Sequence, residues 1–221
     1  MKKTLTLLMF ALFASSQSVY AVSQQKLVSD EIKANINSSL NRAKEETSAL
    51  NDNKESPLIV AVKNNNNKLA LELLKDPKVN VKATDSFGNT ALHYARNEQV
   101  IERLVARGAD INAKNTLYNT TPLMYASATN LPKIVSKMID LHANAAAKDK
   151  EGDNALIYAV LGECNLEIIK ILVNNGAQKD VKSHGRTLKD LLTPDQEGRP
   201  RYLDVQCDNV REVKDIVFPK K

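Results

Sequence analysis

The sequence has no tryptophan, and aromatic residues make up only 5% of its 221 residues. Apolar residues still account for 43% of the chain, so it can bury a long, thin core built from Leu, Ile, Val and Ala. The formal charge is +5, but no stripe of lysine or arginine with interleaved aromatic residues accompanies it. The composition therefore argues against a nucleic-acid-binding protein.

The sequence also lacks the usual catalytic and metal-binding patterns. It contains three histidines, none of them three or four residues from another, and no Cys/His cluster with the spacing of a zinc site. No glycine-rich phosphate loop or nucleophile elbow is present. Acidic pairs such as Asp149 with Glu151 fall on polar helix faces or in turns, where charge is ordinarily solvated. We therefore predict no metal, no cofactor and no enzyme activity.

Long apolar runs are missing apart from one near the start of the sequence. Lys2 and Lys3 precede an apolar run at residues 5–14, which is shorter than the span of about 20 residues that crosses a bilayer. Residues 19–21 form a small-x-small site suited to signal peptidase. These features predict a cleaved signal peptide at residues 1–21, with an uncleaved anchor or a buried helix as the alternative. We expect an exported bacterial protein, periplasmic or secreted, with no membrane attachment after cleavage.

An apolar quartet with the spacing i, i+1, i+4, i+5 occurs four times, and its last three copies are 34 residues apart. The spacing places four apolar side chains on one face of a helix. Such self-similarity predicts a repeat architecture. The copies are Leu69, Ala70, Leu73 and Leu74; Val100, Ile101, Leu104 and Val105; Ile134, Val135, Met138 and Ile139; and Ile168, Ile169, Leu172 and Val173.

A second helix is predicted before each quartet. A capping side chain, a tolerated first-turn residue and a core leucine follow one another at residues 56–58, 90–92, 121–123 and 154–156. Three residues after each leucine comes an alanine, which lets neighbouring helices approach closely. Gly88 can take the positive φ of a tight turn, and Gly108 can end the second helix of its unit.

The segments TALHYA, residues 90–95, and GADIN, residues 108–112, resemble the ankyrin repeat. The resemblance implies an all-α solenoid of stacked helix-turn-helix units with short hairpin fingers. Asn119 and His142 stand where the family has glycine, and both residue types tolerate positive φ. In the family, the motif histidine ties neighbouring turns together, which implies a structural role for His93. The first unit lacks the exit glycine altogether.

The resemblance covers residues 54–193 and divides the chain into domains. It places the repeats at about 54–83, 85–114, 115–148 and 149–182, followed by a truncated unit at 183–193. Residues 22–53 carry a narrow apolar stripe, which predicts a helical cap on the first repeat or, alternatively, a docking helix. Residues 194–221 form a tail with enough apolar residues for a strand or helix that lies on the last repeat. The asparagine run at residues 64–67 is interpreted as a solvated loop.

The resemblance also implies a function. In the family, the fingers and the exposed face of each first helix line a concave groove that binds protein partners. Mapped by motif, the finger tips carry Phe87, Leu117, Tyr118, Lys150 and Glu151, which we predict to contact a protein partner. We expect a monomer that catalyses no reaction. The alternatives are an inhibitor or protective accessory of a toxin or exported enzyme, and a secreted effector that acts on a host protein.

Two cysteines and a column of tyrosines complete the candidates. An even cysteine count in an exported chain favours pairing, so we predict a disulfide between Cys164 and Cys207, with two free thiols as the alternative. The bond would join the tail to the last full repeat. Tyr94, Tyr125 and Tyr158 recur with the repeats and are interpreted as packing between first helices, with a binding strip as the alternative.

Overall fold

Short helices joined by turns make up most of the described chain. The computed structural model describes residues 55–183, 185–193 and 209–219. All of them belong to a compact unit that runs from Asn51 to Lys221. The predicted signal peptide, the predicted cap at residues 22–53 and Cys207 lie outside the described residues.

The described residues form ten helices and one small hairpin. The helices are α1 (Pro57–Lys63), α2 (Asn67–Leu73), α3 (Ala91–Tyr94), α4 (Glu98–Ala106), α5 (Pro122–Ser127), α6 (Pro132–Asp140), α7 (Ala155–Leu161), α8 (Leu166–Asn174), α9 (Leu188–Leu191) and α10 (Val210–Val217). Strands β1 (Lys182–Ser183) and β2 (Arg186–Thr187) pair in antiparallel fashion just before α9.

The helices stack in two rows. Helices α1, α3, α5 and α7 contact one another in that order and form the first-helix row. Helices α2, α4, α6 and α8 do the same in the second-helix row, and each also contacts the first helix of its own unit. This arrangement is the all-α repeat solenoid that the sequence predicted.

The apolar quartets fill the space between the two rows. In each quartet the first three members are buried, and Ile101, Val135 and Ile169 have no exposed surface at all. The four alanines that follow the core leucines are also buried. Burying branched aliphatic side chains in this way supplies the main stabilisation of a stacked repeat, because each unit covers the apolar face of the next.

The predicted capping and turn residues take the conformations that their positions require. The side chains of Ser56, Thr121 and Asn154 accept hydrogen bonds from the first-turn amides of α1, α5 and α7. Gly88 and Gly108 have φ of +79° and +85°, while Asn119 and His142 have φ of +60° and +65°. The two substitutions for glycine therefore keep the left-handed turn, as predicted.

The prediction of a loop through the whole asparagine run is wrong at its end. Asn66 is the N-cap of α2, where its Oδ1 accepts a hydrogen bond from the backbone N of Leu69 at 3.1 Å, and Asn67 is the first residue of the helix. Asn65 makes the turn with φ of +55°. Asparagine is among the best N-cap residues, so this run serves as a helix start as well as a turn.

The C-terminal helix α10 continues the second-helix row. It packs on α8 and buries Val210, Val213 and Val217, which lie on one face at helical spacing. Helix α9 lies between the hairpin and residues 194–208, which are outside the described residues. The region predicted as a tail thus contains a helix, and α10 covers the apolar face that α8 would otherwise expose.

Candidate functional site

Three hairpin fingers project between the repeats, and the first side chain of each holds its loop. We call them finger A (85–89), finger B (115–120) and finger C (149–153). In finger A, Asp85 Oδ1 accepts hydrogen bonds from the backbone N of Phe87 at 2.9 Å and of Asn89 at 2.8 Å. Asp149 in finger C and Asn115 in finger B accept equivalent pairs of backbone bonds. The finger backbones are therefore fixed by their own side chains.

Two tyrosines tie the fingers to the first-helix row. The Tyr94 hydroxyl donates to Asp85 Oδ2 at 2.6 Å, and the Tyr158 hydroxyl donates to Asp149 Oδ2 at 2.8 Å. Burial raises the pKa of both tyrosines, and the neighbouring carboxylates raise it further. Burial pushes the pKa of Asp85 upward, but the bonds from Tyr94 and the finger amides outweigh burial and lower it overall. The raised pKa of Tyr94 and the lowered pKa of Asp85 therefore keep this pair as a tyrosine hydroxyl and an aspartate carboxylate at neutral pH.

The contacts of Asp149 differ from what the sequence predicted, whereas those of Tyr94 and Tyr125 agree with it. Asp149 was expected to be solvated, but its carboxylate is half-buried and holds both its own loop and Tyr158. Two members of the tyrosine column pack as interpreted, since the rings of Tyr94 and Tyr125 meet edge to face with centroids 6.2 Å apart. The sequence signal for the tie is an aspartate nine residues before a tyrosine, present in the second and fourth units.

The fingers are also bonded to one another. Thr116 donates to Phe87 O from its backbone N at 3.1 Å and from its hydroxyl at 2.9 Å. Lys150 donates from its backbone N to Tyr118 O at 2.8 Å, and its ammonium group donates to Thr116 O at 2.8 Å and Leu117 O at 2.7 Å. These bonds form a ladder from finger A to finger C, so the three tips are held in a fixed relation.

The predicted contact residues stand at the tips. Phe87, Leu117 and Tyr118 are 52%, 45% and 51% exposed, and they are the large apolar side chains that the described part of the chain leaves in solvent. Lys150 and Glu151 are exposed on finger C. Finger B is one residue longer than finger A, because Asn115 N bonds to Thr120 O where Asp85 N bonds to Asn89 O. The extra residue allows two apolar side chains at one tip.

His93 links adjacent repeats. Its Nε2 lies 3.0 Å from Thr120 O, and its Nδ1 lies 3.0 Å from the backbone N of Thr90. A carbonyl oxygen only accepts, so Nε2 carries the proton and Nδ1 accepts from Thr90. Burial lowers the pKa of His93, although the bond to Thr120 opposes this effect. His93 is therefore a neutral structural residue, as its place in the motif implied.

Arg107 performs a structural role that the sequence did not indicate. Its guanidinium group donates to the carbonyl oxygens of Leu74, Asp76, Pro77 and Val79 at 2.7 to 3.1 Å. These carbonyls belong to the exit of the first unit, which has neither a glycine nor a residue with positive φ like His142 in the third unit. An arginine from the next unit thus satisfies a turn that cannot close in the usual way.

Cys164 lies in the turn between α7 and α8. It has φ of +47°, and only 7% of it is exposed. Cys207 is outside the described residues, and the disulfide between the two stays a prediction. Within the described ranges, no cluster of His, Cys, Asp and Glu side chains could hold a metal ion. None of the helices described is long and apolar enough to cross a bilayer.

Comparison with known families supplies the deciding observation. The model for ankyrin repeats in three copies matches residues 19–115 and 96–183, which together make up well over half of the chain. The chain belongs to the ankyrin-repeat family. Ankyrin repeats are protein–protein interaction modules, so this class of function follows from family membership.

Curated relatives share the repeats with this ankyrin protein over part of their length. It is 37% identical over 111 residues to human ankyrin repeat and SOCS box protein 6, covering 46% of this chain and 25% of that protein. It is 29% identical over 131 residues to the phosphocholine transferase AnkX of Legionella pneumophila, covering 56% of this chain and 14% of that protein. The chain thus spans a quarter or less of these two relatives.

Proposed function

We propose that this ankyrin-repeat protein binds a protein partner through its finger tips and the adjoining concave face. The observation that carries the proposal is the exposure of Phe87, Leu117 and Tyr118 on two fingers that are bonded to each other. Exposed large apolar side chains that cluster on a surface mark interaction sites. Aromatic side chains are also the commonest anchors of protein interfaces.

The ladder between the fingers makes this surface suitable for binding. Full burial of a side chain of this size contributes about 1.5–3 kcal/mol, so burying the exposed half of each contributes about 1 kcal/mol. Three such contributions alone give weak binding. Strong binding therefore requires that little of this free energy is offset by the entropy lost in ordering the finger loops. Because the fingers are already fixed by Asp85, Asn115 and Asp149, little ordering is required.

We propose further that the chain catalyses no reaction. Groups with perturbed pKa values are the ones catalysis would normally use, and four such groups in the described part of the chain serve packing. Asp85, Tyr94 and Tyr158 hold fingers, and His93 bridges two repeats with both ring nitrogens. Each of these groups has its hydrogen-bonding capacity taken up within the fold.

Capture from an envelope extract tests the binding surface. The protein without residues 1–21 is immobilised as wild type, as the triple variant Phe87→Ala, Leu117→Ala, Tyr118→Ala, and as a control with alanine at Lys68, Arg103 and Lys170. The control residues are exposed on second helices. We expect mass spectrometry to identify a protein retained by wild type and control but lost with the triple variant, with unchanged circular dichroism. Equal retention by the triple variant would contradict the proposal.

We also propose that the chain is exported. The support is the order of Lys2, Lys3, the apolar run at residues 5–14 and the small-x-small site at residues 19–21. N-terminal sequencing of the protein from fractionated native cells tests this directly. Export predicts a mature chain that begins at Val22 in the periplasm or medium. A cytoplasmic chain that still carries residues 1–21 would refute it.

A further inference from the structure

One hydroxyl of the tyrosine column is not used within the fold. Tyr94 and Tyr158 each donate their hydroxyl to the aspartate that begins their own finger. Among the residues that the structure describes, none makes a hydrogen bond with the hydroxyl of Tyr125. Tyr125 is only half-buried, so this hydroxyl is open to solvent.

The difference arises from the residue that begins finger B. Asn115 stands where fingers A and C have aspartate, and its Oδ1 accepts from the backbone N of Tyr118 at 3.1 Å and of Thr120 at 3.0 Å. Its Nδ2 donates to Asn89 Oδ1 at 3.0 Å. Both lone pairs of the amide oxygen are therefore in use, which leaves no acceptor at this position for the hydroxyl of Tyr125.

The ring of Tyr125 is nevertheless held in place. It meets the rings of His93 and Tyr94 edge to face, with centroids 5.5 Å and 6.2 Å away. His93 is fixed through both ring nitrogens, and Tyr94 is fixed through its bond to Asp85. Because both neighbours of the ring are fixed, little side-chain entropy is lost when a partner bonds to the Tyr125 hydroxyl.

Tyr125 lies at the foot of fingers A and B. It belongs to α5, which follows finger B directly, and its ring contacts Tyr94, which is bonded to finger A. The tips of the same two fingers carry the exposed side chains of Phe87 and Leu117. A partner segment that runs from these tips onto the first-helix row would therefore cover Tyr125.

The carboxylate bonded to Tyr94 limits the chemistry of such a segment. Asp85 Oδ1 accepts from two backbone amides, and Oδ2 accepts from the Asn89 amide and the Tyr94 hydroxyl. No lone pair of Asp85 is left for a cation, while its negative charge still disfavours an acidic segment. An uncharged acceptor therefore suits the neighbouring hydroxyl of Tyr125 best.

We propose that Tyr125 donates its hydroxyl to a backbone carbonyl of an uncharged, apolar segment of the partner protein that lies across fingers A and B. This inference rests on the proposed function and adds the chemistry of the partner. Apolar side chains of the segment cover Phe87 and Leu117, which removes the backbone between them from water. A buried carbonyl without a donor is costly, and Tyr125 supplies that donor.

Selection from a phage library of random dodecapeptides on the wild-type protein supplies a probe. We expect the enriched peptides to share apolar positions and no charged position. Binding of a synthetic consensus peptide to Tyr125→Phe should weaken about fivefold to tenfold, because the ring contacts remain and one hydrogen bond is lost. The melting temperature of Tyr125→Phe should equal that of wild type, since its hydroxyl bonds to nothing in the described part of the fold.

Tyr158→Phe is the matched control, because it removes a hydroxyl that the fold does use. It should lower the melting temperature and leave peptide binding unchanged. Replacing each peptide amide in turn by a thioamide, whose sulfur is a weaker acceptor, tests the carbonyl itself. One position should weaken binding to wild type and have no effect on binding to Tyr125→Phe.

Several outcomes would overturn the inference. They are enrichment of charged peptides, no enrichment at all, unchanged binding to Tyr125→Phe, a lower melting temperature of that variant, and a thioamide scan without such a position. Peptides that lose binding when Phe87, Leu117 and Tyr118 are replaced together, but not in Tyr125→Phe, would leave the proposed function standing while the role of Tyr125 fails.

Discussion

Replacing Arg107 with alanine should destabilise the first repeat more than any other surface substitution in the second unit. Arg107 is the C-cap of α4, and its guanidinium group reaches back to four carbonyls at the exit of the first unit. The bonds to Leu74 O and Val79 O are part-buried, while those to Asp76 O and Pro77 O are exposed. When the arginine is removed, water can replace it at the two exposed carbonyls, whereas the two part-buried carbonyls are left without a donor.

The size of the effect follows from this division. Each part-buried carbonyl left without its charged donor costs about 1–1.5 kcal/mol, whereas the exposed ones regain hydrogen bonds from water. We therefore expect a loss of about 2–3 kcal/mol in the free energy of unfolding. For a chain of this length, that corresponds to a melting temperature lower by about 5–10 °C. Lysine at this position keeps the charge but not the planar fork, so it should restore less than half of the loss.

Urea unfolding followed by circular dichroism measures the total effect, and hydrogen exchange with mass spectrometry locates it. Exchange should accelerate in residues 57–83 and change little in α7 and α8, because repeats are coupled mainly to their neighbours. Arg103→Ala, exposed on the same helix, provides the control. If Arg107→Ala and Arg103→Ala were both within about 0.5 kcal/mol of wild type, the role given to the guanidinium bonds would be refuted.

Two further predictions concern the finger turn and the buried histidine. A Cβ at Gly88 would lie 2.4 Å from the backbone N of Thr116, whereas one at Gly108 would meet nothing within 4 Å. In urea unfolding, Gly108→Ala should therefore lower the free energy of unfolding only by the strain of a left-handed alanine, about 1–2 kcal/mol, and Gly88→Ala should lower it clearly more. Equal losses in the two variants would contradict the clash with Thr116. Burial lowers the pKa of His93 below its ordinary 6.5, so the unfolded chain takes up a proton first as pH falls. The free energy of unfolding should therefore fall as the pH is lowered from 6.5, until the pKa of His93 in the folded state is passed. The melting temperature of His93→Asn should depend less on pH in that window. If its pH dependence equals that of wild type, groups other than His93 cause the effect.

Much of the fold could be predicted because its units repeat. A single apolar quartet is weak support for a helix, but quartets such as Val100–Val105 recurring at constant spacing leave few alternatives. The resemblance to the ankyrin repeat located the finger tips, since Phe87, Leu117 and Tyr118 stand at the family's finger positions. The positive φ of Asn119 and His142 was predictable because both stand where the family has glycine and both residue types tolerate that conformation.

The sequence did not indicate those contacts between units that depend on a single residue. Nothing in the periodicity connects Arg107 with an exit about 30 residues earlier, because the motif assigns that position no partner. The tie between Asp149 and Tyr158 was missed for a related reason. An acidic residue in a turn is ordinarily solvated, and only the packing of finger C against α7 shows that this one is not.

The structure separates the residues that hold the binding surface from those that present it. Asp85, Asn115 and Asp149 use their side chains to fix the finger backbones, and little of their polar surface is left for a partner. The side chains between them, such as Phe87 and Leu117, extend into solvent and hold nothing in place. Stability and affinity should therefore respond to different substitutions. Because the supports lie in the backbone and the first residue of each finger, the tips can change in chemistry while the fold that presents them stays the same.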